Sequence, residues 1–207
     1  MQKLKIAITG GPSGGKTTLI EALQKDSAEK IAVVPEAASI LYRGGFPRKK
    51  SSLARRCAQK AIYYTQMELE NLIAGESSAE VIICDLGSLD SVAYWPSEES
   101  SDFFTAVKSE KAKELNRYNW VLHLDTADQS TFDTTNPIRT ESHREAVELN
   151  QKIKLAWEGH PQRVIIPHEE EFLLKILRAK SAIQMMLSGK SYDKIQTELN
   201  GMSVKKV

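Results

Sequence analysis

The sequence predicts an α/β protein: a three-layer sandwich in which helices cover both faces of a parallel five-stranded sheet. Three observations lead there. Short apolar runs recur between helical stretches, the alternation that builds parallel sheets from crossover units. Two of the runs, Val81-Ile82-Ile83-Cys84 and Val121-Leu122-His123-Leu124, are nearly continuously apolar, as strands buried on both faces are. Finally, Gly10-Gly11-Pro12-Ser13-Gly14-Gly15-Lys16-Thr17 fits G-x-x-x-x-G-K-[ST], a phosphate-binding loop that joins a strand to a helix.

The first strand, Lys5–Thr9, delivers that loop, and a helix over Lys16–Lys25 receives the phosphates at its N-terminus. The glycines let successive N–H groups turn inward toward the phosphates. Gly11, Pro12, Ser13, Gly14, Gly15, Lys16, Thr17 and Thr18 are therefore the expected nucleotide-binding residues. Lys16 should reach the β- and γ-phosphates, and the Thr17 hydroxyl should hold Mg²⁺. The second strand, Ile31–Val34, runs into Pro35-Glu36. Tyr42–Lys50 is glycine-rich and basic, hence a loop. Ser52–Ala74 reads as a long helix, Val81–Cys84 as the third strand ending at Asp85, and Ser101–Arg117 as another helix. Trp120–Leu124 is the fourth strand, ending at Asp125. The Thr, Asp, Asn and Pro residues of Thr126–Thr140 make a second loop, and Glu141–Trp157 a helix. Arg163–Ile166 is the fifth strand and Glu169–Leu187 the last long helix. Residues 1–187 thus form one nucleotide-binding domain. Residues 188–207 form a tail with one short helix, capped by Ser191, striped by Tyr192, Ile195 and Leu199, and stopped by Gly201.

Composition narrows the function. The chain has 207 residues and a net charge of +1, which argues against a general nucleic-acid or membrane-surface binder. No apolar run approaches the length of a membrane span, and Met1-Gln2-Lys3-Leu4-Lys5 leaves no room for a secretory signal. Cys57 and Cys84 stand apart with no metal-ligand spacing, and the four histidines are scattered. Two structural thiols in a reducing cytoplasm, and no zinc site, are the expectations.

Ligands of such sheets collect at the carboxyl ends of the strands. Glu36, Asp85 and Asp125 all fall there. A carboxylate at a strand end is often only the cap of the next helix, and Asp125 is assigned that role. Glu36 suits an acceptor hydroxyl, whose proton it can take or orient. Asp85 suits Mg²⁺, directly or through water, if the third strand lies beside the first. Arg139 and Arg144 flank a helix start in a position that suits a mobile lid; the planar fork of arginine binds phosphate oxygens in pairs. Two solvated arginines are the plainer reading.

These segments in this order resemble one family. They are Thr9 to Thr18, Val34-Pro35-Glu36-Ala37-Ala38, Cys84-Asp85-Leu86-Gly87-Ser88-Leu89-Asp90, Asn136-Pro137-Ile138-Arg139-Thr140-Glu141 and Trp157-Glu158-Gly159-His160-Pro161. The family is that of the kinase-like P-loop AAA domains, which includes the nucleotide-binding domain of the fly TRPL translocation defect protein. It is similar to the ribosylnicotinamide-kinase domain of NadR-type proteins and, more distantly, to deoxynucleoside kinases. The resemblance runs from about Leu4 to Leu177. It implies a P-loop NTPase fold of nucleoside- or nucleotide-kinase type with strand order 2-3-1-4-5, Mg²⁺, and ATP or GTP. It further implies that Glu36 is the acceptor-side carboxylate, Asp85 the acid of the D-R-G or D-R-S motif, and Arg139 the lid arginine. Leu86 departs from the pattern, since the family usually has arginine there. On the long helix, Gln59 and Gln66 share a face. A glutamine on the corresponding helix of deoxynucleoside kinases reads the acceptor base, though a polar helix face is the preferred reading here. Core packing is preferred for Tyr63, Tyr64, Trp95 and Trp157, and His160-Pro161 is a candidate for shaping the site of the nucleotide base.

The functional expectation is a cytoplasmic, Mg²⁺-dependent purine nucleoside triphosphate binding protein that transfers phosphate to a small hydroxyl-bearing acceptor such as a nucleoside. The catalytic residues would be Lys16, Glu36, Asp85 and Arg139, the metal ligands Thr17 and Asp85, with Arg144 on the nucleotide. The alternative is a nucleotide-gated binding module or slow NTPase with no acceptor. Neither nucleic acid nor membrane is an expected partner, and oligomeric state is open.

Overall fold

A computed structural model describes residues 3–27, 29–96, 102–129, 142–169 and 171–202. In chain order the elements are β1 (Leu4–Gly10), α1 (Lys16–Ser27), β2 (Ile31–Val34), α2 (Ala37–Arg43), α3 (Ser52–Glu76), β3 (Val81–Asp85), α4 (Asp90–Tyr94), α5 (Phe103–Val107), α6 (Lys111–Leu115), β4 (Trp120–Leu124), α7 (His143–Ala156), β5 (Arg163–Ile166), α8 (Phe172–Leu187) and α9 (Tyr192–Met202). The strands form one sheet in the order β2-β3-β1-β4-β5, with every pairing parallel. This is the order the resemblance implies. No described helix is long and apolar enough to cross a membrane.

Strand alternation decides which layer each side chain joins. Ile6, Ile8, Ile83 and Leu122 point to one face, where they meet Leu19 and Leu23 of α1, Ile176 and Ile183 of α8, and Ile195 and Leu199 of α9. Ala7, Ile82, Cys84 and Val121 point to the other, against Leu149, Ile153 and Trp157 at α7, with α3 beside them. Both faces are therefore dry, which explains the continuous apolar runs. The tail belongs to this core: Ile195 and Leu199 of α9 are buried in it.

All five strands lie where the sequence puts them, within a residue or two. Several helices differ from expectation. The single helix expected over Ser101–Arg117 is two, α5 and α6, because Lys108 adopts a left-handed φ of 54° and closes α5 with N–H bonds to Thr105 and Phe104 carbonyls from Lys108 and Ser109. Two short helices, α2 and α4, were not expected, and α2 takes in Tyr42 and Arg43 from the predicted loop. α7 starts at His143, set by a reciprocal box in which Ser142 and Glu145 cap each other. α8 starts at Phe172, and α9 runs through Gly201 to Met202.

Candidate active site

β1 is the central strand, and its last residues tip the chain into the phosphate loop. Gly10 has a φ of 127°, and a Cβ there would lie 2.0 Å from the Leu124 carbonyl oxygen. A Cβ on Gly14 would lie 2.8 Å from the same oxygen. Only glycine lets the loop seat this closely on the end of β4. Gly14 N–H bonds back to the Gly11 carbonyl at 3.2 Å. The Lys16 ammonium is held over the loop by the carbonyls of Gly10 and Gly11, at 2.8 and 2.9 Å. α1 begins at Lys16, so its free N-terminal N–H groups border the loop, the arrangement that favours an anion.

The loop forms one end of a cavity of about 1060 Å³. Pro12, Ser13, Gly15, Lys16, Thr17 and Thr18 line it, and so do Glu36 and Asp85. Gly11 and Gly14 are buried beneath the loop. Glu36 occupies the N-cap position of α2, yet its side chain makes no capping bond. Its carboxylate instead accepts from the Ser39 hydroxyl and faces the cavity. Asp85 ends β3 next to Ile8 of β1. Burial pushes its carboxyl up to about 6; the nearby Glu36 charge adds to the shift, Lys16 opposes it, and Asp90 adds a little more. These groups thus share one electrostatic site at the carboxyl ends of three strands.

Asp125 takes no part in the cavity and does not cap a described helix. It accepts from Asn150 Nδ2 at 2.8 Å and pairs with Lys154 at 2.6 Å, both on α7, and lies 3.3 Å from His123 Nε2. Although burial opposes ionisation, the hydrogen bonds from His123, Asn150 and Lys154 hold the Asp125 carboxyl far below the usual range. Its role is structural, as expected, but by fastening a helix rather than capping one. Arg144 lies on the outside of α7, with a 90 % exposed side chain 3.0 Å from Glu148, and it does not line the cavity. Arg139 lies outside the described residues. His160 is buried against the Tyr118 carbonyl at 3.0 Å, away from the cavity. Trp157 is a core residue, and Tyr63 is spent on Glu114 at 2.8 Å.

Sequence reasoning gave no role to Asp90 or Asn150, and it preferred a polar helix face for Gln66; all three shape this site. Asp90 is buried, lines the cavity, and accepts from the Thr9 hydroxyl, Gly87 N–H at 2.8 Å and Trp157 Nε1 at 3.3 Å. It ties the end of β1 to the turn after β3. Asn150 accepts Gly11 N–H at 2.9 Å while bonded to His123 Nε2 and Asp125. A polar residue set among Ala146, Leu149 and Ile153 at helical spacing was the available signal. Gln66 is buried, its amide nitrogen donating to Glu70 at 3.1 Å and to the Leu86 carbonyl at 3.2 Å. Gln59 and Gln66 both line the cavity wall formed by α3. Leu86 adopts a left-handed φ of 69° there.

The sequence profile of a family described as an AAA domain matches residues 5–171. Among solved structures, the chain is similar to deoxyadenosine kinase from M. mycoides with bound dATP, at 15 % identity and a TM-score of 0.62, over 87 % of this chain and 99 % of that one. It is also similar to NadR protein in complex with NAD and AMP-PNP, at 16 % identity and a TM-score of 0.63, over 92 % of this chain and 51 % of the other. The chain thus spans about half the length of that NadR protein. No curated protein matches in sequence. At such identities the structural likeness shows a shared fold.

Proposed function

The chain belongs to the AAA domain family, and from that premise we propose that it is a cytoplasmic phosphotransferase that moves the γ-phosphoryl group of ATP or GTP to a small hydroxyl-bearing metabolite such as a nucleoside. The observation that carries the reading is the lining of the cavity. It continues past the phosphate loop and Asp85, along α3 to Gln59, with Glu36 beside it. A triphosphate on the loop leaves that second compartment for an acceptor.

Mg²⁺ fits the residues present. The Thr17 hydroxyl and the Asp85 carboxylate are oxygen donors beside the loop, and Mg²⁺ takes one or two such ligands with substrate phosphates and water completing its shell. Among the described residues no His, Cys, Asp and Glu side chains gather in threes as a softer metal would need. When bound, Mg²⁺ neutralises charge on the β- and γ-phosphates. Lys16 leaves its two loop carbonyls for the same phosphates. Glu36 accepts the proton of the attacking hydroxyl as the oxygen bonds to the γ-phosphorus and the bridge to the β-phosphate breaks. Arg139 would answer the transition-state charge; Arg144, on the outer face of α7 beside Glu148, is not drawn into this step.

Leu86 supports the second reading, a nucleotide-gated binding module or slow NTPase. An apolar side chain lines the cavity where related kinases usually place a cation. One experiment separates the two. Nucleosides and other small alcohols are screened with Mg–ATP and Mg–GTP by mass spectrometry, in wild type and in Glu36→Gln. The kinase reading expects a product heavier by one phosphoryl group, reduced about 10²–10⁴-fold by Glu36→Gln, with AMP-PNP affinity nearly unchanged. Tight triphosphate binding without any phosphorylated product favours the binding module.

A further inference from the structure

The outer end of the cavity is cationic. Arg43 at the end of α2, Lys49 and Lys50 in the loop that follows, and Arg55 in the first turns of α3 all line it. Arg43 and Lys49 have no carboxylate within ion-pair distance among the described residues, and Arg55 reaches only the Tyr94 carbonyl at 3.4 Å. Lys50 lies in the field of Glu145, across the rim. Many cations elsewhere are paired: Lys5 and Arg117 with Glu70, Lys154 with Asp125, Arg178 with Glu169 and Lys190 with Glu198. Like charges held on one concave wall repel one another and focus their field on whatever anion enters. Of the acids that line the cavity, Asp90 is engaged by Thr9, Gly87 and Trp157, Glu36 by Ser39, and Asp85 lies near Lys16 of the phosphate loop; only Glu145 faces the rim, toward Lys50.

A second observation lies one helical turn deeper. Gln59 is only 7 % exposed, lines the same wall, and makes no hydrogen bond with any described residue. Its amide is not among the fully buried polar atoms that lack a partner; it opens on the cavity, where it is available to a ligand. Arg55 and Gln59 sit four residues apart on α3, about 6 Å along its axis.

We propose that this rim is an anion subsite for the acceptor, and that the molecule to be phosphorylated already carries a phosphate monoester. The proposal rests on the phosphotransferase reading above. A phosphate monoester brings nearly two negative charges and three acceptor oxygens, matched to two guanidinium forks and the lysines beside them. Gln59 hydrogen-bonds the body of the molecule, while a free hydroxyl at the other end reaches Glu36. That hydroxyl oxygen bonds to the γ-phosphorus, the β–γ bridge breaks, the nucleoside diphosphate leaves with the bonding pair, and the proton passes to Glu36. The acceptor's own phosphate is a handle and is not transferred.

The test fills the phosphate loop first. Protein saturated with Mg–AMP-PNP is titrated calorimetrically with inorganic phosphate, ribose 5-phosphate and ribose. The expected result is binding of the two phosphates and none of ribose. In Arg43→Gln/Lys49→Gln, affinity for ribose 5-phosphate should fall by about tenfold or more, as lost charge-assisted bonds predict, while AMP-PNP affinity stays within about twofold. No phosphate binding to the loaded protein overturns the proposal. So does an equal loss of AMP-PNP affinity in the double variant, which would assign the rim to the donor. Transfer from ATP to a panel of phosphate monoesters is read separately by mass spectrometry. Phosphate binding with no transfer to any acceptor upholds the anion subsite and sinks the phosphotransferase reading.

Discussion

At the scale of single residues, Lys175 is a charge held in the protein's interior. It is 2 % exposed on α8, with its ammonium donating to the Asp125 carbonyl. Burial lowers it from 10.5 to about 8; Asp125 and Glu169 draw it back up, and Lys16 pushes it down. The sign of the linkage follows. Between about 8 and 10.5 the unfolded chain holds a proton that the folded one has released, so stability rises with pH in that window. Urea unfolding should show wild type gaining up to about 2 kcal/mol relative to Lys175→Met between pH 7.5 and 10. Parallel curves for the two proteins would show that the ammonium is solvated after all. The same burial acts on Asp85, but there Lys16 stands close by to offset it, so the two residues illustrate opposite signs of one desolvation effect.

At the scale of elements, α7 is more than a covering layer. Through Asn150 it holds Gly11 N–H of the phosphate loop, His123 of β4 and Asp125 at once. Asn150→Ala leaves those buried groups without their partner, at a cost of about 1–3 kcal/mol. It should also weaken AMP-PNP binding several-fold by loosening Gly11, with unfolding curves and calorimetry as the two readouts. Unchanged AMP-PNP affinity with reduced stability would confine Asn150 to a packing role. The elements that could be read from sequence were those with a strong period or motif: five strands, the phosphate loop, the long helices α1, α3, α7 and α8, and the striped tail helix α9. α2 and α4, at seven and five residues, are too short to show a period. The split at Lys108 rests on one left-handed residue that sequence does not announce. In the site, Glu36 and Asp85 were legible because strand ends mark the crevice. Asp90 was not, because its importance lies in partners supplied by distant segments, and Gln59 was read as a polar helix face because its burial on the cavity wall comes only with folding. The cations of Arg43 to Arg55 were visible only as a basic loop; their common cavity is a product of folding.

At the scale of the whole molecule, the site and the fold are separable in one direction. Lys16 donates to the loop carbonyls of Gly10 and Gly11, at 2.8 and 2.9 Å, and stands near Asp85 and Asp90; it lines the cavity rather than the packed layers of the sheet, so Lys16→Ala should leave the circular dichroism unchanged. Mg–ATP at about a hundred times its dissociation constant stabilises a protein by about 2.7 kcal/mol, which for a chain of this size raises the melting point by roughly 5–10 °C. That rise should appear in wild type and vanish in Lys16→Ala; its persistence would remove the phosphate loop from nucleotide binding. In the other direction the dependence is strict, and it has a consequence for the order in which the molecule is made. The loop is synthesised well ahead of the strand that seats it: Gly10 pairs with and rests upon Leu124, and β1 finds its two neighbours only in β3 and β4. At about 5–20 residues per second, the ribosome takes on the order of ten seconds to supply the strand that seats a loop already written. A nascent chain therefore cannot use nucleotide as a folding template before β4 is made, and the loop, though synthesised ahead of that strand, takes its shape only after it.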